Sequence, residues 1–147
     1  MRSKKKILMV FVVCFALFIS FGCLDNDDSK EKPVRTASYT DREIDPSHCS
    51  AFGFPRVVQG ESVEIELYDV SGGDLHIYIV DQLGHGYMYY EGYNIKNVQK
   101  YSTDRTTIPG VGAFIWTVSS DSEQWYAVIY NPGNVKVKYN IRITVDS

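Results

Sequence analysis

The stretch Trp125–Val145, WYAVIYNPGNVKVKYNIRITV, decides the fold of this chain. From Val135 onward, apolar and polar side chains alternate without interruption, which is the period of a β-strand with one buried face and one wet face. The six residues before the turn at Asn131–Asn134 are apolar on both faces, which is typical of a strand in the middle of a sheet that is covered on both sides. We therefore predict two strands joined as a terminal hairpin.

A second pair of strands is predicted upstream. Residues 61–69 and 75–80 both alternate, and the turn signal Ser-Gly-Gly-Asp lies between them at residues 71–74, so we expect a second hairpin here. Residues 52–58 are predicted to include an edge strand, because Pro55 cannot donate a hydrogen bond to a neighbouring strand.

Short strands separated by turns account for the rest of the folded part. Residues 113–118 are predicted to form a strand after a Pro-Gly turn, and residues 81–101 a short strand followed by an irregular excursion. No segment shows the 3.6-residue apolar spacing of a helix over more than two turns. The pattern predicts an all-β fold, a single antiparallel β-sandwich of jelly-roll or immunoglobulin size over residues 50–147, with Trp116 and Trp125 in its core.

The N-terminus has the layout of an export signal. Met1–Lys6 is basic, Ile7–Ile19 is an uncharged apolar run, and a burst of charge begins at Asp25. A permanent membrane span takes about 20 apolar residues, and the run here is shorter. We predict a lipoprotein-type signal peptide over residues 1–22, with an uncleaved anchor and plain secretion as the alternatives.

Gly22–Cys23, at the end of this signal, resembles the lipobox of bacterial and archaeal lipoproteins. In that motif the Cys after a small residue is lipid-modified and becomes the new N-terminus. Ser20 and Phe21 depart from the pattern, which favours Leu and a small residue at these positions. The resemblance implies a lipid on Cys23 and a location on the extracytoplasmic face of the cell membrane. Without lipidation, a disulfide between Cys23 and Cys49 is the alternative.

The segment that follows Cys23 is polar and charged, which is the composition of a tether that cannot bury enough surface to fold. We predict this tether over residues 23–49. Loss of the signal leaves 11 basic against 18 acidic residues, a net charge of −7. This charge argues against a nucleic-acid partner, because phosphate backbones repel an acidic protein. Attachment to the membrane is then expected to depend on the lipid.

A further resemblance extends over residues 57–145. Asp121, then Trp125-Tyr-Ala-Val-Ile-Tyr-Asn and a final alternating strand, is similar to the end of pre-peptidase C-terminal and GOLD-like β-sandwich domains. Ser122 stands where those families usually have Gly. The resemblance implies a non-catalytic module for display, adhesion or cargo contact. We therefore predict a binding or presentation module that is not an enzyme and needs no cofactor.

Candidate metal ligands or catalytic residues are few. His48, Cys49 and His85 carry the alternative hypothesis, a small metal-binding or enzymatic domain. His48 and Cys49 are adjacent but have no partner group in the sequence, and the Asn131–Asn134 loop has no ligand for copper. No metal site is predicted.

The least ordinary feature is a Gly-flanked segment with four tyrosines, Tyr87, Tyr89, Tyr90 and Tyr93. A tyrosine ring combines a flat apolar face with a hydroxyl group, and it suits stacking on a sugar or packing against a protein. We predict that these residues bind a protein or glycan partner. The alternative is that two or more of the rings cover one edge of the core.

Overall fold

The structure is a computed structural model that describes residues 34–146. Within that range the chain forms eight β-strands and two short α-helices. The strands are β1 (Arg35–Ile44), β2 (Cys49–Gly53), β3 (Ser62–Ser71), β4 (Leu75–Asp81), β5 (Asp104–Ile108), β6 (Gly112–Thr117), β7 (Trp125–Tyr130) and β8 (Val137–Asp146). The helices α1 (Gln82–Glu91) and α2 (Ile95–Tyr101) lie between β4 and β5.

The strands of the described range form two antiparallel sheets of four strands each. Sheet I has the order β1-β8-β3-β6, and sheet II has the order β2-β7-β4-β5. The main core includes Trp116 of sheet I and Trp125 of sheet II, whose buried rings meet with their centroids 4.8 Å apart. The predicted all-β sandwich is confirmed.

The two terminal strands have the predicted faces from Val137 onward, whereas Val135, predicted on the buried face, lies before β8 and is 49% exposed. Ala127 and Ile129 of β7 belong to the main core, whereas Val128 packs in a second cluster with the helices, so β7 is covered on both sides. β8 is two-faced, and its buried residues are Val137, Tyr139, Ile141, Ile143 and Val145. The edge strand predicted near Pro55 is β2, which ends at Gly53 and lies at one edge of sheet II.

Neither predicted hairpin is present. β3 lies in sheet I and β4 in sheet II, and β7 and β8 are divided between the sheets in the same way. β3 and β8 alternate in burial, which suits a sheet with a solvated outer face. β4 and β7 are apolar on both faces, which suits sheet II, because the helices cover part of its outer face. Each turn therefore leads from one sheet to the other.

The buried side chain of Asn131 organises the passage from β7 to β8. Its Nδ2 donates to the carbonyl oxygens of Ile44 and Val135 at 3.1 and 2.7 Å, and its Oδ1 accepts from the backbone amide of Gly133 at 2.9 Å. One amide side chain thus satisfies three backbone groups where the chain crosses between the sheets.

Strand β1 lies within the segment predicted to be a tether, so the prediction is wrong for that part of the chain. It pairs with β8 from Arg35 opposite Val145 to Ile44 opposite Val137, so the chain enters the sheet well before residue 49, where the tether is predicted to end. The compact unit that contains both sheets spans Pro33–Ser147, so it begins before the predicted boundary at residue 50. Polar composition is misleading here because an edge strand keeps many of its side chains in water.

Helices α1 and α2 replace the strand and irregular excursion predicted for residues 81–101. The carboxylate of Asp81 accepts from the amide of Gly84 at 2.7 Å, and the side chain of Asn94 accepts from the amide of Asn97 at 3.1 Å, so each helix has an N-cap. The helices cover a second apolar cluster on the outer face of sheet II. Its buried members are Tyr78, Val80, Met88, Val98 and Val128.

Candidate functional site

Helix α1 carries an exposed apolar surface, which we call the tyrosine face. Leu83, Tyr87 and Tyr90 follow the spacing i, i+4, i+7, which places them on one side of a helix. Their side chains are 65%, 46% and 86% exposed. Gly84 and Met88 are the buried residues of the same helix. The helix therefore turns one side to sheet II and presents three large apolar side chains to the surface.

Gly84 allows α1 to pack closely against Val80 and Tyr101. A β-carbon at this position would lie 2.9 Å from Cγ1 of Val80 and 3.0 Å from the carbonyl oxygen of Tyr101. A β-carbon on Gly86, two residues further on, would have no such neighbour within 4 Å. Only the first of these glycines is required by packing.

The tyrosine face lines a groove of about 600 Å³, the tyrosine groove, whose opposite wall is the loop of residues 121–123. The hydroxyl of Ser122 accepts from the amide of Gln82 at 3.3 Å and donates to the carbonyl of Gln124 at 2.8 Å, which links this loop to the start of α1. Asp121 and Glu123 are exposed and form no ion pair with any described residue. The groove thus combines apolar and aromatic side chains with an acidic wall.

The four predicted tyrosines divide into separate environments. Tyr87 and Tyr90 line the tyrosine groove. Tyr89 is 71% exposed and does not line it, although its ring meets that of Tyr90 edge to face at 5.6 Å. Tyr93 contacts His85 instead. The structure therefore brings two of the four residues together at one groove.

His85 lies in an aromatic cluster. Its imidazole stacks on the ring of Tyr126, with centroids 3.7 Å apart and planes 5° apart, and a hydrogen bond joins its Nε2 to the hydroxyl of Tyr93. Burial lowers the pKa of His85, and burial is also the first cause of the raised pKa of Tyr93, followed by the neighbouring Tyr126 and Tyr89. A ring held in this way has one nitrogen already occupied.

The residues of the alternative hypothesis do not form one site. His48 is exposed and bonds through Nδ1 to the carbonyl of Pro46 at 2.8 Å, whereas His85 belongs to the aromatic cluster. Burial raises the pKa of Cys49 to about 11, which opposes formation of a reactive thiolate. No group of three or more His, Cys, Asp or Glu side chains in residues 34–146 is placed to hold a metal ion.

A second groove, which the sequence did not indicate, lies where the outer face of sheet II meets α2. We call it the arginine groove, and its volume is about 530 Å³. Tyr130, His76 and Thr107 lie opposite one another on β7, β4 and β5, and Arg105 lies opposite Tyr78 in the next row. Alternation within each strand predicts which side chains share a face, but pairing between strands decides which of them meet.

The predicted signal peptide and the predicted lipid site, Cys23, lie outside the described residues. Among residues 34–146, no helix has both the length and the apolar character that a membrane crossing requires.

No family model matches the chain, and no curated protein matches it. Among solved structures, the chain is similar to one described as the crystal structure of PirA, with a TM-score of 0.43 and 11% sequence identity. The match covers 80% of this chain and 99% of that one.

Proposed function

We propose that this chain is an exported lipoprotein, held at the extracytoplasmic face of the cell membrane by a lipid on Cys23, and that its β-sandwich binds a partner and catalyses no reaction. The anchor is supported by the basic start, the short apolar run and the Gly22–Cys23 boundary. Stable anchoring requires more than one acyl chain or a second membrane signal. The net charge of −7 after loss of the signal does not supply an attraction to anionic lipids, so two acyl chains on Cys23 would have to suffice.

The binding role is carried by one observation, the exposure of the tyrosine face at a groove. Tyrosine is one of the residues enriched among those that contribute most of the binding energy of protein interfaces. Asp121 and Glu123 add negative charge to the opposite wall, and tyrosine rings attract cations through their faces. We therefore assign the groove to a protein segment in which an apolar residue adjoins a Lys or Arg. A glycan is the competing partner.

Mass spectrometry of the membrane fraction tests the anchor. A chain that begins at residue 23 and carries added diacylglyceryl mass is the expected result. The added mass should be absent in Cys23→Ser and present in Cys49→Ser, which removes the other thiol of the mature chain. An unmodified wild-type chain would contradict the anchor.

Fluorescence titration of the full chain in detergent tests the binding role. The probe is a short peptide with one Arg between two Leu residues, and its matched control has Glu in place of Arg. Binding of the first peptide and not of the second is the expected result. Binding of neutral oligosaccharides, with no response to either peptide, would replace the protein partner by a glycan.

A further inference from the structure

The arginine groove is a second concave surface, with walls from different elements. β4, β5 and β7 contribute the side chains of His76, Arg105 and Tyr130, while α2 contributes Ile95 and Gln99. Its volume of about 530 Å³ lies within the range of small-molecule sites in proteins, about 300–1,000 Å³. A sugar or a compound of similar size would fit this space.

Arg105 sets the charge of this groove. Its side chain is exposed, and no carboxylate within residues 34–146 forms an ion pair with it. A guanidinium group is always charged and presents parallel N–H donors that match the two oxygens of a carboxylate. Arg105 is thus a cation placed at a groove without an ion-pair partner among the described residues.

The other polar groups of the groove are suited to a ligand with hydroxyl groups. Thr107 offers a hydroxyl and Gln99 an amide, both of which can donate and accept hydrogen bonds. The rings of His76 and Tyr130 lie 5.9 Å apart and provide apolar surface beside them. A single arginine suits a single negative charge better than the double charge of a phosphate.

We propose that the arginine groove binds a hexuronic acid, either free or as a residue of an acidic glycan. The carboxylate pairs with Arg105, the hydroxyl groups bond to Thr107 and Gln99, and the sugar ring packs against Tyr130 and His76. The site is separate from the tyrosine groove, so it does not rest on the partner proposed there.

Glucuronate and glucose test this proposal, because they share a ring and differ in the carboxylate. The full chain in detergent micelles is titrated with each sugar at the same ionic strength, and binding is followed by NMR shifts of backbone amides and by calorimetry. Glucuronate should shift the amides around Arg105 and bind about ten- to a hundredfold more tightly than glucose, as expected for a hydrogen-bonded charge pair. An oligosaccharide with internal glucuronate residues shows whether the groove also accepts the acid within a glycan.

Arg105→Gln should abolish the preference for glucuronate, and Arg105→Lys should restore part of it. Arg56→Gln removes another exposed arginine, outside the groove, and should behave as wild type. Unchanged NMR spectra away from the groove will show that the variants are folded. The proposal is overturned if glucuronate shifts no groove residue, or if Arg105→Gln keeps the preference.

Discussion

Asp41 and Asp69 have the same left-handed backbone conformation, with φ of 53° and 52°, on the two strands that flank β8. Each lies at a shift in register against β8. Asn140 of β8 bonds to both, since its Oδ1 accepts from the amide of Asp41 at 2.7 Å and its Nδ2 donates to the carboxylate of Asp69 at 2.9 Å. One side chain of β8 thus links the irregular points of the two strands that flank it.

Asn140→Ala should therefore lower the free energy of unfolding by about 1–2 kcal/mol, because it removes two hydrogen bonds, one of them to a charged group. Urea denaturation of the full chain in detergent measures the change. Asn134→Ala, in the exposed turn before β8, is the control and should change stability by less than about 0.5 kcal/mol. Equal effects of the two substitutions would show that the link between the two register shifts does not contribute to stability.

Gly84→Ala and Gly86→Ala should have opposite effects on stability. The first places a methyl group 2.9 Å from Val80 and should destabilise the fold by about 1–3 kcal/mol, the usual cost of overpacking. The second adds a methyl group in open space within a helix and should stabilise by about 0.5–1 kcal/mol. Thermal unfolding measures both. Destabilisation by Gly86→Ala would contradict the placement of α1.

Tyr90→Ala should weaken binding of the Arg-containing peptide about tenfold or more without lowering the melting temperature, because the ring is 86% exposed and lines the tyrosine groove. Tyr89→Ala is the matched control on the same helix, since its ring is also exposed but lies outside the groove. It should have the smaller effect on affinity. A fall in melting temperature in Tyr90→Ala would assign that ring to the packing of the fold.

Cys49 should react slowly with a disulfide reagent at pH 8, because burial raises its pKa to about 11 and only the thiolate reacts. The test uses a chain in which Cys14 and Cys23 are replaced by Ser, so that Cys49 is the single thiol. Its reaction rate should keep rising from about pH 9 to 11, whereas the rate of the urea-unfolded chain should level off by about pH 10, roughly one pH unit above the ordinary pKa of a thiol. Identical pH profiles for the two states would contradict the burial of the thiol.

Strand positions and faces are predictable from the sequence, whereas sheet partners are not. The alternation in β8 is enough to identify its buried face, because side chains of a strand point alternately to its two sides. The same alternation does not indicate which strands pair with β8. The hydrogen bonds of Asn131 to Ile44 and Val135 stabilise the crossing from β7 to β8, and the first of these depends on a residue 87 positions away.

Helix α1 is not predictable from apolar spacing, because it has no continuous apolar stripe on its buried side. Its buried residues are Gly84 and Met88, and glycine contributes nothing to an apolar pattern. The caps at Asp81 and Asn94 are the signals that could have indicated the two helices. The tyrosine segment is recognisable as unusual, but only the helical spacing shows that Tyr87 and Tyr90 share a groove while Tyr93 turns to His85.

Because β1 begins at Arg35, the linker between the proposed lipid and the sandwich is shorter than the tether predicted over residues 23–49. Twelve residues from Cys23 to Val34 separate the proposed acyl chains from the first strand, and even a fully extended chain of that length reaches only about 40 Å. A folded body of this size has a diameter of roughly 35 Å. The sandwich would then stay within about one body length of its lipid, so its partners would have to come to the same bilayer surface to be captured.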